Sequence, residues 1–196
     1  MQQARIQIIV AALFFTVIAG LLLIRRFDTQ PEEPVVIVSV SGSERKVGEK
    51  LRRGEIIETK VGEYLALQIG ESVLVGIDER SRVELYRLFA DERILRFPRG
   101  RIVIESQDKK PFLIETNKTQ SIVENGSATF INYDYQQLVT IAPIKGSIQT
   151  HIKNTNEYIL LPVPINVSEK NPPTYLAATT DPLSGAKKFY EWFFGI

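Results

Sequence analysis

The longest apolar run of the chain lies near its N-terminus, at residues 6–24. It carries no charge, and Gln7 and Thr16 are its clearly polar members. At about 1.5 Å per residue, a helix of this length reaches roughly 28 Å, close to the hydrocarbon thickness of a bilayer. Because the run is apolar on all sides, the pattern predicts a membrane-inserted helix rather than a buried soluble one.

The flanks of this run favour an uncleaved signal anchor over residues 1–27. A signal peptide would have an apolar region of about 7–15 residues followed by a small-x-small cleavage site. Here Ala19 and Gly20 are followed by four more apolar residues. The flanking charges, with a margin of one charge, slightly favour a cytoplasmic main domain by the positive-inside rule. Residues 28–34, which include two prolines and three acids, are predicted to form a linker.

Residues 35–160 alternate between apolar and polar positions in short runs of about 4–8 residues. In one of these runs, Leu65, Leu67 and Ile69 fall on a single face. Such alternation is typical of half-buried β-strands. Glycine-containing turns separate the runs, for example at Gly54 and Gly100. The pattern predicts an all-β domain of sandwich, barrel or solenoid type.

The remaining residues, 161–196, form a predicted proline-rich tail with a C-terminal helix. Four prolines make its first half irregular or extended. A helix is predicted from Pro182, with Asp181 capping its free N–H groups.

Two interpretations of this helix are open. Aromatic residues next to lysines suit a membrane interface or a binding surface. Alternatively, Leu183, Ala186, Tyr190 and Phe193 pack the helix onto the β domain, which we favour. The candidate interaction or membrane-interface residues are Lys187, Lys188, Phe189, Tyr190, Trp192, Phe193 and Phe194.

The amino-acid composition mainly rules out classes of function. The 196 residues include no cysteine and one histidine, and the formal net charge is +1. This excludes disulfides, thiolate chemistry and histidine-rich metal sites, and it predicts no cofactor. The charge balance predicts no nucleic-acid partner.

Few residues are candidates for catalysis. His151 is interpreted as a strand-end or loop residue, because no nucleophile elbow is present. The acidic pairs Asp78-Glu79 and Glu32-Glu33 and the isolated Asp134 are interpreted as turn or surface residues. Adjacent residues on a strand point to opposite faces, so neither pair forms a site by itself.

A series of arginines makes the centre of the chain locally basic. It is either a stripe for an anionic partner or, as we favour, a mixed solvated face, because nearby acids largely balance it. The arginines are Arg80, Arg82, Arg87, Arg93, Arg96, Arg99 and Arg101.

Several short motifs follow one another in a fixed order. They are a leucine–glycine–acid–threonine segment, a small residue within an alternating strand, a strand that ends near a serine, and four further strand pieces. They occupy residues 51–59, 64–67, 73–85, 93–104, 111–116, 126–130 and 139–148. Over residues 35–152 their order and spacing resemble the FecR domain family.

That resemblance implies a bacterial, extracytoplasmic domain with a solenoid-like, all-β stack of short paired strands. Stacking of such units would bury a continuous apolar seam. Compared with members of that family that control sigma factors, the sequence lacks the anti-sigma segment before the membrane helix and the C-terminal αβ module.

The resemblance outweighs the margin of one flanking charge, so the expected protein is single-pass in the cell membrane, with its main domain extracytoplasmic. We expect a binding or scaffolding module of the cell envelope and not an enzyme, with an envelope protein or polysaccharide as its partner. One alternative is a transmembrane regulator that passes an envelope signal to a cytoplasmic partner. A second is a carbohydrate-active enzyme with paired carboxylates.

Overall fold

The computed structural model describes Thr16, Ile18 and Ala19 and residues 31–107, 109–133, 138–153, 155, 157–168, 174–178 and 181–195. The chain divides into two compact units, Met1–Glu32 and Glu33–Ile196. Thr16, Ile18 and Ala19 are helical. Among the described residues, no helix is long and apolar enough to cross a membrane. Most of the predicted signal anchor lies outside the described residues.

The second unit is built from β-strands and one short C-terminal helix. The strands are β1 (Val35–Ser41), β2 (Lys50–Leu51), β3 (Ile56–Glu58), β4 (Tyr64–Ile69), β5 (Val73–Ile77), β6 (Arg82–Leu88), β7 (Arg93–Ser106), β8 (Phe112–Glu115), β9 (Thr119–Val123), β10 (Gly126–Tyr133), β11 (Leu138–Lys145), β12 (Ile148–Ile152), β13 (Tyr158–Leu161), β14 (Ile165–Ser168) and β15 (Tyr175–Ala177). This confirms the prediction of a mostly β fold followed by a short helix.

The strands form two sheets that share β7. In the first sheet the order is β2-β1-β4-β5-β7-β10-β11-β14-β15, and in the second it is β3-β6-β7-β8-β9-β12-β13. The N-terminal half of β7 pairs with β6 and β8, and its C-terminal half pairs with β5 and β10. The β7–β8 pair is parallel. The other described strand pairs are antiparallel, as expected for strands joined by short turns.

One apolar core lies between the two sheets. It includes Leu67 and Phe130 from the first sheet and Phe97 and Phe112 from the second. Period-two alternation directs these side chains inward. The order along each sheet largely follows the chain, and from β8 onward consecutive pairs of strands alternate between the two sheets. The solenoid-like stack of short paired strands stays a prediction.

The proline-rich tail contributes to the fold in two ways. Its strands β14 and β15 extend the first sheet beyond β11. After them, the 3-10 turn Ser184–Ala186 leads into the C-terminal helix, Lys187–Phe194. The Asp181 carboxylate accepts a hydrogen bond from the Leu183 N–H at 3.0 Å, just before the 3-10 turn. The predicted helix start at Pro182 with Asp181 as its cap is wrong, because the α-helix begins at Lys187 and no side chain caps it or the 3-10 turn.

The C-terminal helix packs on the outer face of the first sheet. Phe189, Tyr190 and Phe193 form a second apolar cluster with Val103 of β7. Gly76 of β5 makes this approach possible, because a Cβ there would overlap the Phe193 ring and lie 2.7 Å from Val103 Cγ1. The packing interpretation of the helix is therefore confirmed for Tyr190 and Phe193.

Candidate functional site

A cleft of about 990 Å³ lies beside the C-terminal helix. It is bordered mainly by the segments that follow β3 and β5, the middle of β7, the 3-10 turn and the first turn of the C-terminal helix. The volume falls in the upper part of the range found for small-molecule sites, roughly 300–1,000 Å³. We refer to this feature as the helix cleft.

A buried ion pair forms the floor of the helix cleft. Asp78 and Arg101 are 5% and 7% exposed, and Arg101 Nη1 lies 3.6 Å from Asp78 Oδ2. The two residues are also joined by the main chain, since the Asp78 N–H donates to the Arg101 carbonyl at 3.0 Å. Two charges this deeply buried need mutual compensation, because desolvation of either one alone costs several kcal/mol.

Hydroxyl groups hold the backbone around this pair. The Ser81 Oγ accepts a hydrogen bond from the Arg101 N–H at 2.9 Å, and the Thr59 Oγ1 accepts one from the Ser81 N–H at 2.9 Å. Gly100 lies against Ser81 with φ +105°, where any Cβ would collide with the Ser81 backbone and hydroxyl. The turn predicted at Arg99-Gly100 is wrong, because both residues lie inside the continuous strand β7, where Gly100 lets the backbone pass close to Ser81.

The environment of Asp78 favours its neutral form more than water does. Burial raises the pKa of Asp78 to about 6, against the lowering effects of the Glu79 N–H and the Arg101 guanidinium, while the Glu79 carboxylate raises the pKa further. Burial also raises the pKa of Tyr190, whose hydroxyl lies 2.7 Å from the Thr129 hydroxyl.

Positive charge dominates the lining of the helix cleft. Its described residues include six basic side chains and two acids, Asp78 and Glu79. The Glu79 carboxylate is engaged by the backbone, because it accepts the Gly62 N–H at 2.6 Å. Arg101 Nε is buried without a hydrogen-bond partner among the described residues. The basic residues are Lys60, Arg80, Arg99, Arg101, Lys187 and Lys188.

The structure divides the candidate residues of the C-terminal helix into two groups. Phe189, Tyr190 and Phe193 are buried against the first sheet, so they stabilise the fold. The other four, Lys187, Lys188, Trp192 and Phe194, are exposed or half-buried, and the interaction hypothesis stays a prediction for them. Lys187, Lys188 and Phe189 line the helix cleft.

The arginine series also separates into groups. Arg80, Arg99 and Arg101 line the helix cleft. The others make contacts elsewhere: Arg82 with Glu58, Arg87 with Glu92, Arg96 with Glu84 and Glu115, and Arg93 with Glu33. Sequence reasoning did not identify the cleft, because half of its basic residues come from this series and the rest lie far away in the chain.

The remaining candidates have local structural contacts. His151 lies on β12, where its ring stacks on Tyr158 with centroids 4.6 Å apart. Its Nε2 lies 3.0 Å from the Thr155 carbonyl oxygen. Asp134 lies outside the described residues. Among residues that are described, no group of three or more His, Asp or Glu is placed to hold a metal ion.

A second exposed feature is the β13 edge, which we define as Tyr158, Leu160 and Val163. Tyr158 and Leu160 are 65% and 66% exposed, and Val163 follows the strand with 52% exposure. β13 ends the second sheet, and no described strand pairs with its outer side. Exposed apolar residues on an open strand edge are typical of surfaces that accept another strand.

Comparison with solved structures places this fold among known ones. The chain is similar to a candidate anti-sigma factor from Parabacteroides distasonis ATCC 8503, with a TM-score of 0.57 and 17% sequence identity over 67% of this chain. A second crystal structure of the same description gives a TM-score of 0.57 and 16% identity over 68% of the chain. The chain spans 63% and 64% of the lengths of those two solved chains.

At this identity the likeness concerns the fold alone. No protein-family profile matches the chain. No curated protein sequence matches it either. The resemblance to the FecR family fits these neighbours loosely and stays a prediction at the level of the family.

Proposed function

We propose that this chain is a membrane-anchored regulator of the bacterial envelope. Its β domain binds a partner outside the cytoplasm, and its N-terminal segment passes the binding signal to a cytoplasmic protein. The observation that carries the proposal is the likeness of its two-sheet fold to that of a candidate anti-sigma factor. This favours the regulatory alternative over the scaffolding role that the sequence first suggested.

The β13 edge offers a binding surface for the extracytoplasmic partner. Because Leu161 points into the core and Ile159 packs against it, Tyr158 and Leu160 face outward on the same side. An extended protein segment could add to this edge through main-chain hydrogen bonds, with its apolar side chains resting on Tyr158 and Leu160. The partner is therefore proposed to be a protein with an exposed, apolar strand.

Exchange of the anchor tests regulation directly. In the native host, residues 1–27 are replaced by an unrelated single-pass anchor of the same orientation, and transcript levels are compared with those of the wild type and a deletion strain. A regulator that signals through its own N-terminal segment should reproduce the deletion profile. If the exchanged protein restores the wild-type profile, the regulatory proposal is wrong and a scaffolding role is favoured.

Two controls make that exchange interpretable. Membrane fractionation and immunoblotting must give equal amounts of both proteins, and a reporter fused after Gly195 must be inactive in the cytoplasm. Cytoplasmic activity of the reporter would overturn the proposed orientation.

Site-specific crosslinking tests the binding surface. A photoreactive residue in place of Leu160 should capture a protein partner, whereas the same residue in place of the exposed Lys145 should not. The substitution Leu160→Lys should abolish capture from a probe at Tyr158, because a charge on an edge strand opposes pairing. Equal capture at both positions would contradict a specific edge.

A further inference from the structure

The helix cleft has the features of an anion-binding site. Its residues differ from those of the β13 edge, where a protein partner is proposed to bind. Its floor holds Arg101, which is more than nine-tenths buried yet keeps Nε without a hydrogen-bond partner among the described residues. A buried donor without a partner costs free energy comparable to a lost hydrogen bond. Nε is itself enclosed, so an acceptor reaches it only when the guanidinium or its surroundings shift on ligand binding.

The charges around Arg101 indicate that the ligand is an anion. Six basic residues line the cleft against two acids, and one of those acids, Glu79, is already engaged by a backbone N–H. Within the part of the chain that is described, Arg80, Arg99 and Lys188 have no carboxylate within ion-pair distance. A ligand with more than one negative charge complements this field.

The chemistry of the basic groups narrows the ligand further. Arg99 and Arg101 lie two positions apart on β7 and both line the cleft. Guanidinium groups present several N–H donors in a fixed fork that matches the oxygens of phosphate. A phosphate group offers acceptor oxygens to several donors at once and carries about −1.5 to −2 charges at neutral pH when singly esterified.

We propose that the helix cleft binds a phosphate group, held by Arg99 and Arg101 and carried by a small ligand or a lipid headgroup. The cleft volume of about 990 Å³ exceeds the size of one phosphate, so it also accommodates the organic part that carries the group. Lys187 and Lys188 lie at the mouth, on the exposed first turn of the C-terminal helix. This proposal does not depend on the regulatory function.

A substitution at Asp78 tests the proposal by the direction in which it changes the binding affinity. Its carboxylate competes with the phosphate for Arg101, with Oδ2 3.6 Å from Nη1. Asp78→Asn removes the competing charge and keeps an oxygen for the Glu79 N–H, which donates to Oδ1 at 2.8 Å. Binding should therefore become about threefold or more tighter in this variant, whereas general damage to the cleft would weaken binding.

The experiment is calorimetric titration of the full chain in a neutral detergent at low salt and pH 7. The probes are inorganic phosphate and glycerol 3-phosphate, with uncharged glycerol as a control ligand. Arg99→Gln and Arg101→Gln should weaken binding about tenfold or more, whereas Arg87→Gln, which lies outside the cleft, should not change it. Circular dichroism verifies that each variant folds, and the exposed Arg99 keeps the test valid if Arg101→Gln unfolds.

The probes also distinguish the source of the phosphate. Tighter binding of glycerol 3-phosphate, together with Arg99-dependent binding to phosphatidylglycerol vesicles but not to phosphatidylcholine vesicles, supports a lipid headgroup. Saturable binding of the small probes without that preference supports a small ligand. Absence of saturable binding by both probes, or equal loss in Arg87→Gln and Arg99→Gln, would overturn the proposal.

Discussion

Two charged clusters of the β domain differ in how completely their groups are paired. In the cluster around Glu115, the carboxylate lies 3.0 Å from Arg96 Nε and 2.8 Å from Lys153 Nζ. Arg96 also lies 3.5 Å from Glu84 and stacks over the Tyr86 ring. Two basic and two acidic side chains neutralise one another here, and we call this group the closed cluster. The helix cleft has six bases against two acids and is open.

This difference in charge pairing distinguishes a structural charge network from a binding site. In the closed cluster, hydrogen bonds from Lys153 and Arg96 outweigh burial and lower the pKa of Glu115. In the helix cleft, burial outweighs Arg101 and raises the pKa of Asp78. Paired groups stabilise the fold by themselves, whereas the exposed basic residues around the Asp78–Arg101 pair leave the helix cleft open to an anionic ligand.

The largest effect should come from the packing of the C-terminal helix, whose first turn borders the helix cleft. Phe193→Ala removes a ring that is 2% exposed, so the free energy of unfolding should fall by about 3–5 kcal/mol in urea denaturation. The helix that carries Lys187 and Lys188 should loosen, and the closed cluster should keep its contacts. Phe194→Ala is the matched control, because Phe194 is 50% exposed and should change stability little. Equal losses would contradict the packing account.

A smaller loss of folding stability should follow from filling the space between the first sheet and the C-terminal helix. Gly76→Ala places a Cβ against Phe193 and Val103, and overpacking of this kind costs about 1–3 kcal/mol. Combining it with Phe193→Ala should recover part of the loss, since the smaller side chain leaves room for the Cβ. Urea denaturation of the two single variants and the double variant gives the coupling energy. Strict additivity would mean that the glycine does not serve the helix.

Opening the closed cluster should have an intermediate effect. Glu115→Gln leaves Arg96 and Lys153 without their shared carboxylate, and the free energy of unfolding at pH 7 should drop by about 1–2 kcal/mol. The difference should vanish under acidic conditions, because the lowered pKa of Glu115 stabilises the fold only while the carboxylate is charged. Glu157→Gln, at an exposed position, is the control. Insensitivity to pH would indicate a cause other than charge.

The smallest effect concerns Asp78. Because its pKa is raised to about 6, the folded state binds more protons than the unfolded state between about pH 4 and pH 6. The contribution of Asp78 to stability should therefore decline as pH rises through this window. The ionisable groups that interact with it are Arg101, Glu79, Tyr64 and Tyr190. Denaturation at several pH values should show this decline in the wild type and not in Asp78→Asn; identical curves would refute it.

Alternation along the chain predicted most of the strands and turns such as the one at Gly54, because a half-buried strand needs both faces specified locally. It wrongly predicted a turn at Gly100, which lies inside β7. It did not predict that β7 serves both sheets, since this depends on which neighbours each half meets. Three arginines of the cleft were visible in the sequence, but Lys60, Lys187 and Lys188 join them only through folding. The role of Gly76 was also hidden, because it depends on a ring more than a hundred positions away.

The most direct test of an open cleft beside a closed cluster is a phosphate titration followed by backbone amide NMR. The full chain, ¹⁵N-labelled in a neutral detergent, is titrated with inorganic phosphate at constant pH and ionic strength. The account predicts saturable shifts at Arg101 and Gly185, which line the helix cleft, and none at Asn117 and Lys153, which line the closed cluster. Shifts of equal size at both places, or no saturable shift at Arg101, would contradict it.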